Sequence, residues 1–160
     1  MLWRIAASTR LYGADDISGT GASISPGRWN SDGVKVVYTA PTRSMAVLET
    51  AAHVDNGGFP LNRFLVAIEV PEDVWDRREI VDSDSLDPQW SAIPAGLASV
   101  NVGTKWLRGV TSAIFELPSV IVQEESIVLI NPAHPDARQI AAKVVRKFEY
   151  DLLFRRRMVP

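Results

Sequence analysis

The stretch "GRWNSDGVKVVYTA" at 27–40 sets Arg28, Trp29 and Asn30 directly ahead of a β-rich run. A guanidinium at that point either faces water or meets an anion. Further on, Glu49 and His53 stand one helical turn apart, so a carboxylate and an imidazole can share one helix face. Tyr38 and Ser119 (in "LPSVIV") complete a set of polar residues at the ends of candidate strands. Each has an ordinary structural reading when taken singly: a surface arginine, a core tyrosine, a solvated glutamate, a turn serine. His134, in "INPAHPD", reads as a structural residue of a turn ahead of a helix.

Several other chemistries lack their motifs. "GTG" at 19–21 is not followed by a GxGxxG or P-loop pattern, so neither nucleotide-binding fingerprint is supported. No serine lies in a GxSxG context, which weakens a Ser-His-Asp hydrolase. With no cysteine and only two histidines, no metal site of ordinary ligand type is expected. The lack of cysteine also excludes disulfide and thiol chemistry and fits a cytoplasmic protein. The formal net charge of −2 argues against direct nucleic-acid binding. The one basic cluster, Arg155, Arg156 and Arg157, is expected to flank a terminal strand or a partner contact. No run of roughly 18 apolar residues is present to span a membrane. Arg4 and Arg10 interrupt the N-terminal "MLWRIAASTRLYG", which therefore lacks the apolar segment of a secretory signal.

The elements that must position these residues follow from periodicity. Asp32-Gly33 predicts a tight turn into a strand over Lys35–Ala40. Thr42 predicts an N-cap for a helix over 43–54, with Met45, Leu48 and Ala52 at helical spacing and Asn56-Gly57-Gly58 as its stop. "RFLVAIEV" (63–70), apolar on both faces, predicts a central strand. Residues 112–123 predict two short strands broken at Pro118, and 126–131 another strand. Asp136 would cap a final amphipathic helix to about Val145, followed by "KFEYDLLF" as a closing strand. The long connection 72–110 predicts short helices, one near Leu97–Leu107, and is of the length usual for functional segments or lids. With 46% hydrophobic residues and no repeat or linker, the reading is one mixed α/β (α+β) domain over 1–160.

The motifs taken in order carry a resemblance. "LWRI" (2–5), "SGTGA" (18–22), "GRWNSDGVKVVYTA" (27–40), "AVLETAAH" (46–53), "LPSVIV" (117–122) and "LINPAHPD" (129–136) together resemble the RES-domain family. These are the toxin halves of bacterial type II toxin–antitoxin pairs. The resemblance implies an ADP-ribosyltransferase-like fold of two packed, mostly antiparallel sheets with flanking helices around an NAD cleft. It implies an enzyme that degrades NAD+ by hydrolysis or phosphorolysis, starving the cell and arresting growth, with NAD+ as substrate and no cofactor. Carried over, the family's arginine, tyrosine, glutamate and serine are Arg28, Tyr38, Glu49 and Ser119. The implied partner is a helix-turn-helix antitoxin that blocks the active site, with a homodimer within the complex as a further expectation. Residues 72–110 match least. Two alternatives stand beside this reading: an ADP-ribosyltransferase acting on a protein target, and a non-catalytic module that keeps the fold.

NAD+ cleavage gives those residue types a physical purpose. Nicotinamide leaves from a cationic state, so its expulsion needs no strong acid, and the ribose becomes oxocarbenium-like. A carboxylate such as Glu49 beside that ribose stabilises charge that grows toward the transition state. The planar fork of Arg28 suits paired pyrophosphate or ribose oxygens better than lysine would. Tyr38 offers a face for the flat nicotinamide cation. Ser119 offers a hydroxyl to ribose or phosphate, and Trp29 and Asn30 shape the cleft wall.

Overall fold

Strand β1 (Leu2–Ala7) pairs antiparallel with β3 (Arg63–Glu69), and β3 pairs antiparallel with β7 (Ala141–Phe148). The computed structural model describes residues 1–53 and 61–150. As its doubly apolar sequence requires, β3 is the middle strand of this sheet, with Val66 and Ile68 fully buried. A second sheet has the order β2 (Val37–Thr39), β6 (Ser126–Ile130), β5 (Ile114–Pro118), β4 (Glu79–Ile80). Its pairings are antiparallel except β4 with β5. Val66 and Ile68 of the first sheet share one core with Val37, Ile114, Val128 and Ile130 of the second, so the two sheets pack face to face. Each such buried aliphatic side chain contributes about 1.5–3 kcal/mol from transfer out of water.

Helices pack against both sheets. Helix α2 (Arg43–Ala51) is capped by the Thr42 hydroxyl, which accepts from the Met45 amide at 3.1 Å, and it sets Met45 and Ala46 against Ile5 and Leu65. The expected stop at 56–58 lies outside the described residues. The connection 72–110 contains α3 (Glu72–Asp76), β4, two 3-10 turns and α4 (Leu97–Gly109), while a short α1 (Thr20–Ile24) precedes the arginine loop. Trp106 and Leu107 of α4 join Trp29, Trp90, Phe115, Leu117 and Leu129 in a second core on the outer face of sheet two.

Two expected elements are replaced. The strand expected after Pro118 is a turn: the Ser119 hydroxyl accepts the Ile121 and Val122 amides at 3.1 and 3.2 Å, and β5 then returns as β6. The helix expected to run from Asp136 to Val145 is a 3-10 turn (Pro135–Gln139) followed by β7. A bulge explains the misreading. Leu65 pairs with Arg146 and Val66 with Val144, which leaves Val145 as an extra residue. Ala141, Val144, Val145 and Phe148 then mimic helical spacing, while the actual inward residues are Ala142 and Val144. Of the expected closing strand, Lys147 and Phe148 end β7, and 151–154 lie outside the described residues.

Candidate functional site

The arginine loop is held from four sides. The Asn30 side chain, 1% exposed, donates from Nδ2 to the Ala22 and Val34 carbonyls, both at 2.9 Å. Its Oδ1 accepts from the Gly27 amide at 2.9 Å and from the Tyr38 hydroxyl at 2.8 Å. The same hydroxyl accepts the Trp29 amide at 2.9 Å. Trp29 is buried and stacks on Trp90, ring centroids 5.9 Å apart. Helix α4 closes the back: Thr104 Oγ1 receives the Ser31 amide at 3.0 Å, and a Cβ on Gly103 would lie 1.9 Å from the Trp29 carbonyl oxygen. Asn30 and Trp29 thus build the wall from behind, with the Asn30 side-chain amide and the Trp29 backbone amide spent on holding the loop.

Arg28 projects from this loop. Its Nη1 donates to the carbonyls of Trp90 and Ala92, each at 2.8 Å, so the 72–110 connection fixes the guanidinium. Burial lowers the Arg28 pKa, with Glu49 and Tyr38 acting in the opposite sense, which places all three within electrostatic reach. Burial likewise pushes the Tyr38 phenol well above its usual range, against the Trp29 amide and the Arg28 charge. Tyr38 is therefore a neutral group whose hydroxyl is occupied, and what it offers a ligand is its ring.

Glu49 lies one turn beyond the core-facing Met45 and Ala46 of α2 and is half-buried. The hydroxyl of fully buried Ser119 donates to Glu49 Oε1 at 2.6 Å, across 70 residues of chain. That hydroxyl has one proton, and the carboxylate takes it. Ser119 can therefore aim Glu49.

Arg28, Tyr38 and Glu49 line one cavity of about 930 Å³, together with Trp3, Arg4 and His53. Trp29 and Asn30 form part of its wall, and Ser119 stands behind Glu49. A smaller lobe of about 260 Å³ adjoins it, sharing Arg4, Ile5, Ser25, Tyr38 and Thr50. Arg4 is a site residue the motif reading passed over. Its Nη1 donates to the Asp16 carbonyl at 3.1 Å, and burial lowers its pKa against the opposing charges of Asp16 and Tyr12. A desolvated guanidinium facing two lobes is suited to an anion. The signal was available: a charge inside the apolar "LWRI" must point at something other than core. His134 caps the 3-10 turn by accepting the Asp136 amide at 3.1 Å, a structural part. Among the described residues no group of His, Asp or Glu is arranged to hold a metal ion, and no helix is long and apolar enough to cross a membrane.

The chain is similar to known proteins over most of its length. The family model described as "RES domain" matches residues 1–153. A protein of Sphingobium sp. (strain YBL2) named "Prs ADP-ribosylating toxin" is 51% identical over 93% of this chain and 92% of its own length. A "Toxin Res" of Photorhabdus laumondii is 33% identical over 91% of this chain and 90% of its own. A "Toxin Res" of Pseudomonas putida is 33% identical over 90% and 92%. Among solved structures, the M. tuberculosis MbcT–MbcA toxin–antitoxin complex contains a chain that superposes with a TM-score of 0.65 at 13% identity, covering 96% of this chain and 85% of that one. At that identity the likeness is one of fold.

Proposed function

The chain belongs to the RES-domain family, and we propose that it is a toxin whose cleft breaks the nicotinamide N-glycosidic bond of NAD+. The observation that carries this is the convergence of Arg28, Tyr38 and Glu49 on one cavity, with Ser119 holding the Glu49 carboxylate at 2.6 Å. Glu49 stabilises the oxocarbenium-like ribose as the bond stretches. Arg28, fixed through Nη1, presents the rest of its fork to phosphate or ribose oxygens, and Arg4 supplies a second cation for the pyrophosphate. The Tyr38 ring stacks on nicotinamide, a contact worth on the order of 1 kcal/mol. NAD+ is the substrate in this scheme. The cleft is large enough for it: a dinucleotide fits among pockets of roughly 300–1,000 Å³.

With water or phosphate as acceptor, the outcome is NAD+ degradation and growth arrest. A second reading is favoured by a specific observation: the relative at 51% identity is named for ADP-ribosylating Prs, which makes a protein side chain the acceptor. The bond broken is the same in both. The solved toxin–antitoxin neighbour supports an antitoxin partner. We take that partner to be a helix-turn-helix protein whose acidic or C-terminal segment enters the cleft near Arg28 and mimics pyrophosphate. Incubating the purified chain with NAD+, with and without inorganic phosphate and with bacterial extract, and identifying products tests the reading. Nicotinamide release is the expected result in every arm, and labelled protein in the extract arm selects the second reading. No nicotinamide in any arm refutes both.

A further inference from the structure

One more group in the cleft is capable of acid–base chemistry and has no part in the scheme above. His53 follows α2, one turn beyond Glu49, lines the same cavity and is exposed to solvent. Its Nδ1 lies 2.6 Å from the Glu49 carbonyl oxygen. A carbonyl oxygen only accepts, so Nδ1 carries the proton, and in the neutral ring Nε2 keeps its lone pair. The bond to Glu49 thereby fixes both the tautomer and the ring orientation, which are the two requirements for a positioned base.

We propose that His53 is the general base that removes the acceptor's proton, an assignment that rests on the NAD+ reading of the cleft. As the bond from ribose C1′ to the nicotinamide nitrogen breaks, its electron pair returns to the pyridinium and cancels the positive charge. A lone pair of the acceptor oxygen forms the new bond to C1′. The proton on that oxygen passes to His53 Nε2 and from there to solvent. Glu49 cannot do both jobs, because a carboxylate that takes the proton loses the charge that stabilises the oxocarbenium. Its Oε1 is moreover already engaged by Ser119. A second group speeds attack by taking that proton, and an exposed one meets an acceptor arriving from solvent. Among the described residues, the charged and titratable side chains that line this cavity with His53 are Glu49 on α2, Arg4 on β1, Arg28 and Asp32 on the arginine loop, and Tyr38 on β2.

The test uses the full chain freed of antitoxin, NAD+ as substrate and water as acceptor. His53→Ala should lower nicotinamide release by about a hundredfold and leave the NAD+ Kd within about twofold. Sodium azide is a nucleophile with no proton to lose, so it should restore nicotinamide release by His53→Ala and yield ADP-ribosyl azide. Turnover equal to wild type overturns the assignment, as does a deficit that azide leaves unrepaired, or a loss of NAD+ affinity in step with the rate. If wild type itself releases no nicotinamide, the reading of the cleft falls and this assignment with it. If wild type and His53→Ala are equally active, the assignment alone falls.

Discussion

Tyr38→Phe deletes one oxygen and leaves the ring in place. That oxygen donates to Asn30 Oδ1 at 2.8 Å and accepts from the Trp29 amide at 2.9 Å. Asn30 Oδ1 keeps the Gly27 amide as a donor, but the Trp29 N–H loses the partner it has here. A buried donor left unpaired costs about 1–3 kcal/mol, so a loss of about 2 kcal/mol is expected. For a chain of this size that corresponds to a fall in Tm of about 4–8 °C. The pH dependence gives a second, independent reading. Burial raises the Tyr38 pKa above its ordinary value of 10.0, so the fold favours the neutral phenol. Stability from this source is complete below about pH 10, where the unfolded chain is also neutral, and is lost as pH rises toward the folded pKa. In that window wild type should lose up to about 1.4 kcal/mol per pH unit that the phenylalanine variant does not. The gap between the two proteins should therefore be widest at pH 8 and narrow above pH 10. Urea unfolding followed by tryptophan fluorescence at pH 8, 10 and 11 measures it. A variant as stable as wild type at pH 8, or a gap that does not change with pH, refutes the argument that this hydroxyl holds the loop. Because the ring survives, the NAD+ Kd should change by less than about threefold, whereas Tyr38→Ala forfeits a stacking contact of about 0.5–1.5 kcal/mol.

Glu49→Gln keeps shape and hydrogen bonding but removes charge, so kcat should fall about a hundredfold, roughly 3 kcal/mol, with NAD+ binding by calorimetry nearly unchanged; wild-type turnover would make Glu49 structural. Arg28→Lys can replace the Nη1 that binds the Trp90 and Ala92 carbonyls but loses the remaining donors of the fork that face a ligand, so NAD+ should bind about tenfold more weakly, as titration calorimetry would show. Gly103→Ala places a methyl 1.9 Å from the Trp29 carbonyl oxygen, which backbone must yield to; a loss of about 3 kcal/mol or more in denaturant unfolding is expected. NAD+ should not bind the toxin–antitoxin complex, and undiminished affinity there would place the antitoxin outside the cleft.

What could be read ahead of the structure was whatever is written locally. Thr42 capping α2, the doubly apolar β3 and the Asp32-Gly33 turn each depend on residues within a few positions, and each is found. The 141–148 segment failed for a physical reason: a bulge at Val145 inserts one residue into a period of two, and the result imitates a period of 3.6. No window on the sequence contains that information, because the bulge is defined by the partner strand.

The candidate site shows the same division more sharply. Arg28, Tyr38 and Glu49 were recognisable as types, yet nothing local says that Tyr38 would spend its hydroxyl on the Trp29 amide and Asn30, or that Ser119 would spend its proton on Glu49. Those commitments decide what remains for a ligand. Tyr38 is left with a ring, Arg28 with the part of its fork not bound by Trp90 and Ala92, and Glu49 with a carboxylate held at one oxygen. Arg4 follows the opposite logic. A strand that buries Leu2, Ile5 and Ala6 cannot bury a guanidinium among them without an outlet; among the described residues Arg4 donates from Nη1 to the Asp16 carbonyl and feels the Asp16 charge. Desolvating that charge is a cost, which the Asp16 charge offsets in part. An anion in the cavity that Arg4 shares with Arg28 would offset the rest of that cost.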